Sequence, residues 1–389
     1  MQLKGMLLMK IAVVIPKYGL VGGAESFAFE VTEKLAAHKD LEFHVFANKW
    51  QKGKARVTFH KVPILVFPRF LRQISFAYFS NNQILANNFD LIHSHDRILQ
   101  MDLLTMHGIP HKTWIREARQ KSLSLFDRSM AWIEGRGIKG PHTPCIMPVS
   151  TLVKEELLKL YVIPESRIHV IHPGVSANRF YTFDKEICRN EIRQRHGLSS
   201  SDVVVLFVGM NFQIKRLELV IRGIADLVKR GGGNPQLKLL VVGKGQRESY
   251  MNLAAELGIA NRIVFAGVSR EVEKYYLASD IFAMPSVFDT FGIAVLEAMM
   301  AGLPVIISSR VGAKDIVDPD VQGFVLGKNP STFDISEKIA LLLDIQTRMK
   351  MGENARQAAL NYTWDKTAEK VVNMYHLRAE ENIQNGTCS

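Results

Sequence analysis

Short apolar runs alternate with amphipathic stretches from one end of the chain to the other, and this alternation limits the fold more than any other feature. Residues 10–16, 43–47, 90–93, 103–106 and 145–148 read as strands in the first half. Residues 203–209, 238–243, 263–266, 281–284 and 305–308 do so in the second. Helical periodicity covers about 24–38, 217–229, 248–257, 272–279 and 364–381 between and after them. Strands that are apolar on both faces and separated by helices predict an α/β fold with parallel sheets covered on both sides. Such sheets bind ligands at the carboxyl ends of their strands. Glycines cluster at several of those ends: Gly22/Gly23, Gly209, Gly243/Gly245 and Gly267.

At 389 residues the chain exceeds one ordinary core, and two domains are expected. Val170-Ile171-His172-Pro173-Gly174-Val175 punctuates a strand with Pro-Gly and marks the boundary. The reading is a first domain over 1–172 and a second over 173–363. The last helix, about 364–381, has no sheet to join in the second domain and returns to the first. The stretch before Met9 reads as a dispensable extension. The apolar run that follows is interrupted by Lys10 and lacks a cleavage signal, so it is a first strand and not a signal peptide. No run approaches the ~18 apolar residues of a membrane span. Cys145, Cys188 and Cys388 have no paired spacing, which suggests free thiols and a reducing compartment.

The net charge of +11 is unevenly spread. Residues 1–150 hold 20 Lys+Arg against 11 Asp+Glu, and the remainder is close to balanced. Between Glu42 and Asp90 there is no acidic residue. Lys49, Lys52, Lys54, Arg56, Lys61, Arg69 and Arg72 lie there with Phe70, Phe76, Tyr78 and Phe79 interleaved. That mixture suits an anionic membrane surface, would also suit nucleic acid, and is equally a solvated basic face over core aromatics.

The segment from Phe288 to Ile306 concentrates the chemistry. Asp289 and Glu297 stand eight positions apart, with Gly292 between them and an apolar helix after it that Gly302 ends. A helix start offers free backbone N–H groups to an anion. An anion on the amides of Phe291, Gly292 and Ile293 would have a carboxylate on either side. A sugar nucleotide, with its sugar, diphosphate and ribose, has that shape.

Seven elements in order carry a resemblance over nearly the whole chain. They are Gly22-Gly23-Ala24-Glu25, Asp90-Leu91-Ile92-His93-Ser94-His95, Thr105-Met106-His107-Gly108, Ile171-His172-Pro173-Gly174-Val175, Val208-Gly209 followed by Lys215, Val242-Gly243-Lys244-Gly245, and the Asp289/Glu297 segment. The chain resembles the retaining glycosyltransferases of family 4, and within it the glucosyltransferases of lipopolysaccharide core assembly. That resemblance implies the GT-B architecture, two Rossmann-like domains facing across a cleft. It also implies a nucleoside diphosphate sugar donor, UDP-linked by first choice, and a glycan or glycolipid acceptor bound by the first domain. Gly22 and Gly23 then approach the donor phosphates, and Lys215 pairs with the departing diphosphate. Asp289 contacts the donor sugar, Glu297 the ribose, and His107 the sugar from the first domain. Gly209, Arg216, Val268, Phe291, Gly292 and Ile293 complete the donor set. The chain departs from the family at Ile214, where an arginine commonly precedes the lysine, at Arg216 after it, and at Asp289, which is usually glutamate.

No cofactor is expected. Asp318-Pro319-Asp320 spells a diacid string, but it reads as a turn, and His93 with His95 lacks a third ligand, so no divalent metal requirement is expected. Nucleic acid is not an expected partner. The expected location is cytoplasmic, peripheral on the inner face of the membrane. Two alternatives stand beside this reading. One is a sugar-nucleotide epimerase of the same architecture. The other is a non-catalytic basic binder, which explains the acid-free interval but not the Asp289/Glu297 spacing.

Overall fold

The computed structural model describes residues 8–384 except 21, 120, 141–142 and 232–235, and it divides into two compact units. One comprises residues up to Gly174 together with those from Trp364 onward; the other runs from Val175 to Thr363. The chain thus passes from the first unit to the second just after the Pro-Gly pair, two residues beyond the expected boundary. Cys388, the first seven residues and most of the 231–235 glycine loop lie outside the described residues.

The first unit is built on six parallel strands: β1 (Met9–Val14), β2 (Leu41–Ala47), β3 (Val57–Lys61), β4 (Leu91–Ser94), β5 (Leu103–Met106) and β6 (Cys145–Pro148). Their order is β3-β2-β1-β4-β5-β6. The second unit repeats it with β7 (Val203–Gly209), β8 (Leu237–Gly243), β9 (Ile263–Gly267), β10 (Ile281–Met284), β11 (Val305–Ser308) and β12 (Gly323–Leu326), ordered β9-β8-β7-β10-β11-β12. Both are the 3-2-1-4-5-6 order of the doubly wound Rossmann sheet. The order reverses between β1 and β4 in one unit and between β7 and β10 in the other, so the loops leaving those strands diverge and open a crevice there.

The apolar runs form these strands because both of their faces are buried. Val203 to Phe207 are buried without a break, as are Ile11 to Val14. Not every strand follows the pattern. β9 is buried only at Ile263, β3 mixes half-buried with exposed residues, and β12 is four residues opening on a glycine, so β3 and β12 do not read as continuous apolar runs. The acid-free interval is accordingly more structured than its composition suggests. It contains β3 and the helix Leu71–Leu85, with Phe76 fully buried and Phe59 stacked on Trp50 at 5.2 Å.

The last helix, Trp364–Gln384, belongs to the first unit's core. Trp364 packs edge-on against Phe27 with ring centroids 5.7 Å apart, and the Tyr375 hydroxyl lies 2.7 Å from His93 Nδ1. Thr367 Oγ1 donates to the carbonyl of His172 at 3.1 Å, and Arg167 pairs with Glu381 at 2.6 Å. Truncating Trp364 to alanine is expected to destabilise the first unit by about 3–5 kcal/mol, the cost of a large buried aromatic. Asp365→Ala removes only an exposed ion pair to Lys34 and is expected to cost under about 1 kcal/mol. Hydrogen exchange of the first sheet in urea measures both.

Candidate active site

In the second unit the loops leaving β7 and β10, on either side of the switch point, carry Lys215 and Asp289. Their side chains meet: Lys215 Nζ lies 2.7 Å from Asp289 Oδ2 and 3.3 Å from Met284 Sδ. Each side chain keeps about a fifth of its exposure, 19% and 21%. Backbone contacts fix the encounter. Val287 N–H donates to the Ile214 carbonyl at 2.8 Å, binding one loop to the other. Asp289 donates its N–H to Arg310 and accepts from Gly312 at 2.9 Å each, so the second loop is also held by the chain after β11. Gly209 makes the lysine's path possible, because a Cβ there would lie 2.3 Å from Lys215 Cδ. Gly243 is required for a related reason: at φ +128° its added Cβ would fall 1.8 Å from the Gly209 carbonyl oxygen.

The β10 loop ends in the helix Ile293–Met300. Gly292 is its N-cap, in the left-handed region at φ 86°, and supplies no capping side chain. The first N–H groups of a helix lack an intrahelical acceptor, so this start presents donors at the carboxyl edge of the sheet. Phe291 beside it is buried, and its carbonyl accepts from Ala313 N–H at 2.7 Å. Just over one turn into the helix, Glu297 Oε2 accepts a hydrogen bond from the Tyr276 hydroxyl at 2.9 Å. Desolvation outweighs that bond and the nearby Arg179, and pushes the Glu297 carboxyl from its ordinary 4.5 up to about 7.

The remaining second-unit candidates are more dispersed. Arg216 is left-handed at φ 56° and caps the helix Leu217–Lys229. Its guanidinium is committed to the turn at Lys328–Asn329, at 3.1 Å from Asn329 Oδ1 and 3.4 Å from the Lys328 carbonyl. Val268 stands exposed just past β9. Asp318 and Asp320 lie in a turn in which Gln322 Nε2 donates to Asp318 Oδ2 at 3.1 Å. No group of three or more His, Cys, Asp or Glu is arranged to hold a metal ion among the described residues.

In the first unit Gly22, at φ 152°, precedes the helix Gly23–Leu35, and the Glu25 carboxylate occupies the space a Cβ would need. His95 follows β4 and His107 follows β5. His95 Nδ1 and His107 Nε2 are 3.1 Å apart, and the rings stack at 5.4 Å. Burial lowers the pKa of His107 to about 3 and holds His95 neutral as well, so the pair offers hydrogen bonds and no charge. His93 is bound at both nitrogens, to Tyr375 and to Thr105 Oγ1 at 2.7 Å each, which makes it a packing residue of the strand end. His95 and His107 line a cavity of about 410 Å³ at the carboxyl ends of β1, β4 and β5. Lys17, Gln73, Arg72 and Asp96 line it too. A buried network supports its floor: Arg97 Nε donates to Glu134 Oε2 at 2.8 Å, and Tyr161 donates to Glu134 Oε1 at 3.0 Å. Sequence reasoning missed this network and Tyr276. Their partners lie tens of residues away, with no local pattern to reveal them.

Two doubly wound parallel sheets of this order are the folded units of the GT-B architecture. Residues 21–179 match the Glycosyltransferase Family 4 domain and residues 188–358 the Glycosyl transferases group 1 domain, so most of the chain is accounted for. The chain belongs to the glycosyltransferases that pair these two domains. An uncharacterized glycosyltransferase of Methanocaldococcus jannaschii is 27% identical over 308 residues, 76% of this chain and 77% of that one. A D-inositol 3-phosphate glycosyltransferase of Corynebacterium efficiens is 32% identical over 245 residues, 59% of this chain and 56% of the relative. The matched stretch thus spans about half the length of such relatives. Among solved structures, WaaG, a glycosyltransferase involved in lipopolysaccharide biosynthesis, aligns with a TM-score of 0.79 at 22% identity, covering 94% of this chain and 99% of that one. Anabaena HepE in complex with UDP and glucose aligns at 0.72 and 17%, covering 95% and 99%. These likenesses are of fold.

Because Glu297 holds its proton longer in the folded than in the unfolded chain, its contribution to stability falls as pH rises from about 4.5 to about 7 and is level above that. Glu297→Gln is expected to melt with the wild type at pH 5 and to be more stable by on the order of 1–3 kcal/mol at pH 8. Thermal midpoints at the two pH values check this.

Proposed function

We propose that the protein transfers a hexose from a nucleoside diphosphate sugar to an acceptor hydroxyl with retention at the anomeric carbon. The observation that carries this reading is the meeting of Lys215 with Asp289 at the switch point, in a loop that leads into an uncapped helix start. On this reading the helix amides and Lys215 take the diphosphate, and Lys215 stabilises the charge that grows as it departs. Asp289 exchanges part of its contact with Lys215 for hydroxyls of the donor sugar, and Glu297 takes the ribose. The acceptor oxygen forms its bond to the anomeric carbon on the face from which the phosphate oxygen leaves, and the acceptor's proton passes to that oxygen. Front-side transfer asks the protein for positioning and electrostatics and for no carboxylate nucleophile. A cation and a helix start carry the diphosphate charge, so no divalent metal is required.

The acceptor is assigned to the first unit's cavity, where neutral His107 offers a hydrogen bond and Lys17 and Arg72 offer charge. A lipid-linked or cell-surface glycan such as lipopolysaccharide core suits it. Leu65, Val66 and Phe67 are exposed immediately before Arg69 and Arg72, a pairing of apolar and cationic groups that favours peripheral contact with an anionic membrane from the cytoplasmic side. Among the described residues no helix is long and apolar enough to cross a membrane.

Labelled sugar nucleotides offered to the purified protein should give transfer or slow donor hydrolysis that EDTA leaves unchanged. Inertness toward all of them would refute the assignment, and free epimerised nucleotide without an acceptor would favour the epimerase. Lys215→Ala is expected to lower kcat by about 10²–10³ while changing donor affinity less than about tenfold. Flotation with anionic vesicles at low salt, lost at high salt, checks the membrane contact.

A further inference from the structure

The mechanism above uses Glu297 but not the side chain bound to it. Tyr276 lies on the helix Val272–Ala278 and is completely buried. Its ring is boxed between Phe180 and Phe282, with centroids 6.2 and 6.0 Å away. The phenol keeps its proton, because burial and the adjacent Glu297 both push its ionisation upward. A phenol that cannot ionise and cannot turn away has one use for its O–H, and it is spent on Glu297 Oε2 at 2.9 Å. The other oxygen, Oε1, has no hydrogen-bond partner among the described residues. A carboxylate held at one oxygen and open at the other is an acceptor for hydroxyl groups. The same carboxyl, once protonated, places a donor where the ligand brings donors of its own.

Building on the donor assignment above, we propose that Tyr276 is a positioning residue of the nucleotide site: its hydroxyl holds Oε2 of Glu297 and so presents Oε1 to the ribose hydroxyls. Few other charges bear on this carboxyl. Arg179 favours its ionised form and Glu273 opposes it, and those two neutralise each other in an ion pair. The other elements packed on the helix Ile293–Met300 carry Arg348, Lys350, Glu353 and Arg356 in one case and Lys314 and Asp315 in the other. None of these six is among the charges acting on Glu297. The Tyr276 hydroxyl is therefore the main hydrogen-bonding support for the ionised form against desolvation.

The test is calorimetric binding of UDP, with GDP, ADP and dTDP in parallel, to wild type, Tyr276→Phe and Glu297→Gln between pH 6 and pH 9. Phenylalanine keeps the ring contacts and removes only the O–H. For whichever nucleotide binds, wild-type affinity should weaken below pH 7, approaching tenfold per pH unit. Tyr276→Phe should bind about five- to tenfold more weakly at pH 7, and the deficit should shrink to under about twofold by pH 9, where Glu297 is ionised without help. Glu297→Gln should bind weakly and without pH dependence. In transfer assays Tyr276→Phe should raise KM for the donor and leave kcat at saturation within about twofold. Wild-type affinity in Tyr276→Phe at pH 7 would overturn the role, and so would a deficit that stays constant from pH 6 to pH 9, since loss of packing alone gives that result. Failure of wild type to bind any of the four nucleotides would instead refute the donor assignment itself, and this inference with it.

Discussion

A parallel sheet puts the ends of all its strands on one edge, and everything in the second unit's site depends on how β7 and β10 share that edge. Neighbouring strands whose helices depart to opposite faces leave their loops unsupported by each other. Here the loops are joined again by two contacts, the backbone bond between Val287 and Ile214 and the ion pair between Lys215 and Asp289. The ion pair needs the lysine to cross the end of β7, where a side chain at Gly209 would meet it. The ion pair keeps a largely desolvated cation from being left uncompensated, a condition that is costly for a buried charge. On the proposed reading, a ligand diphosphate replaces one anionic partner with another instead of meeting a fully hydrated lysine.

The first unit uses the same strand order with different groups at its switch point. Its switch point is lined by stacked, uncharged imidazoles, and the charges beneath them, Arg97 and Glu134, are paired with each other. One topology therefore carries an ion pair at one edge and neutral imidazoles at the other, and the difference lies in the loop residues. Fold alone would not separate them.

The architecture was legible because runs such as Val203–Gly209 and Ile281–Met284 are apolar on both faces, and few structures other than a covered parallel sheet accept them. The pair at 215 and 289 was legible as two separate loop residues. That they touch depends on strand order, which spacing along the chain does not encode. β3 was hidden because an edge strand half-open to water carries lysine and histidine in place of valine. Arg216 reads as a candidate second positive charge beside Lys215; the contact of its guanidinium with Asn329, at 3.1 Å, is one that spacing along the chain does not encode. Tyr276 was silent for the plainest reason. A buried tyrosine twenty-one positions from its partner looks like any other core aromatic until the hydroxyl's destination is known.

The return of the final helix to the first unit has a consequence for how the protein is made. Residues 175–363 are contiguous, so the second unit has all its parts once they leave the ribosome. The first unit, although begun earlier, lacks Trp364 and Tyr375 from its interior until those residues have been synthesised. Phe27 and His93 wait with an open socket through the synthesis of the later half. The unit begun first is thus completed after the second, and a nascent chain stalled before residue 364 leaves the first unit's apolar core uncovered.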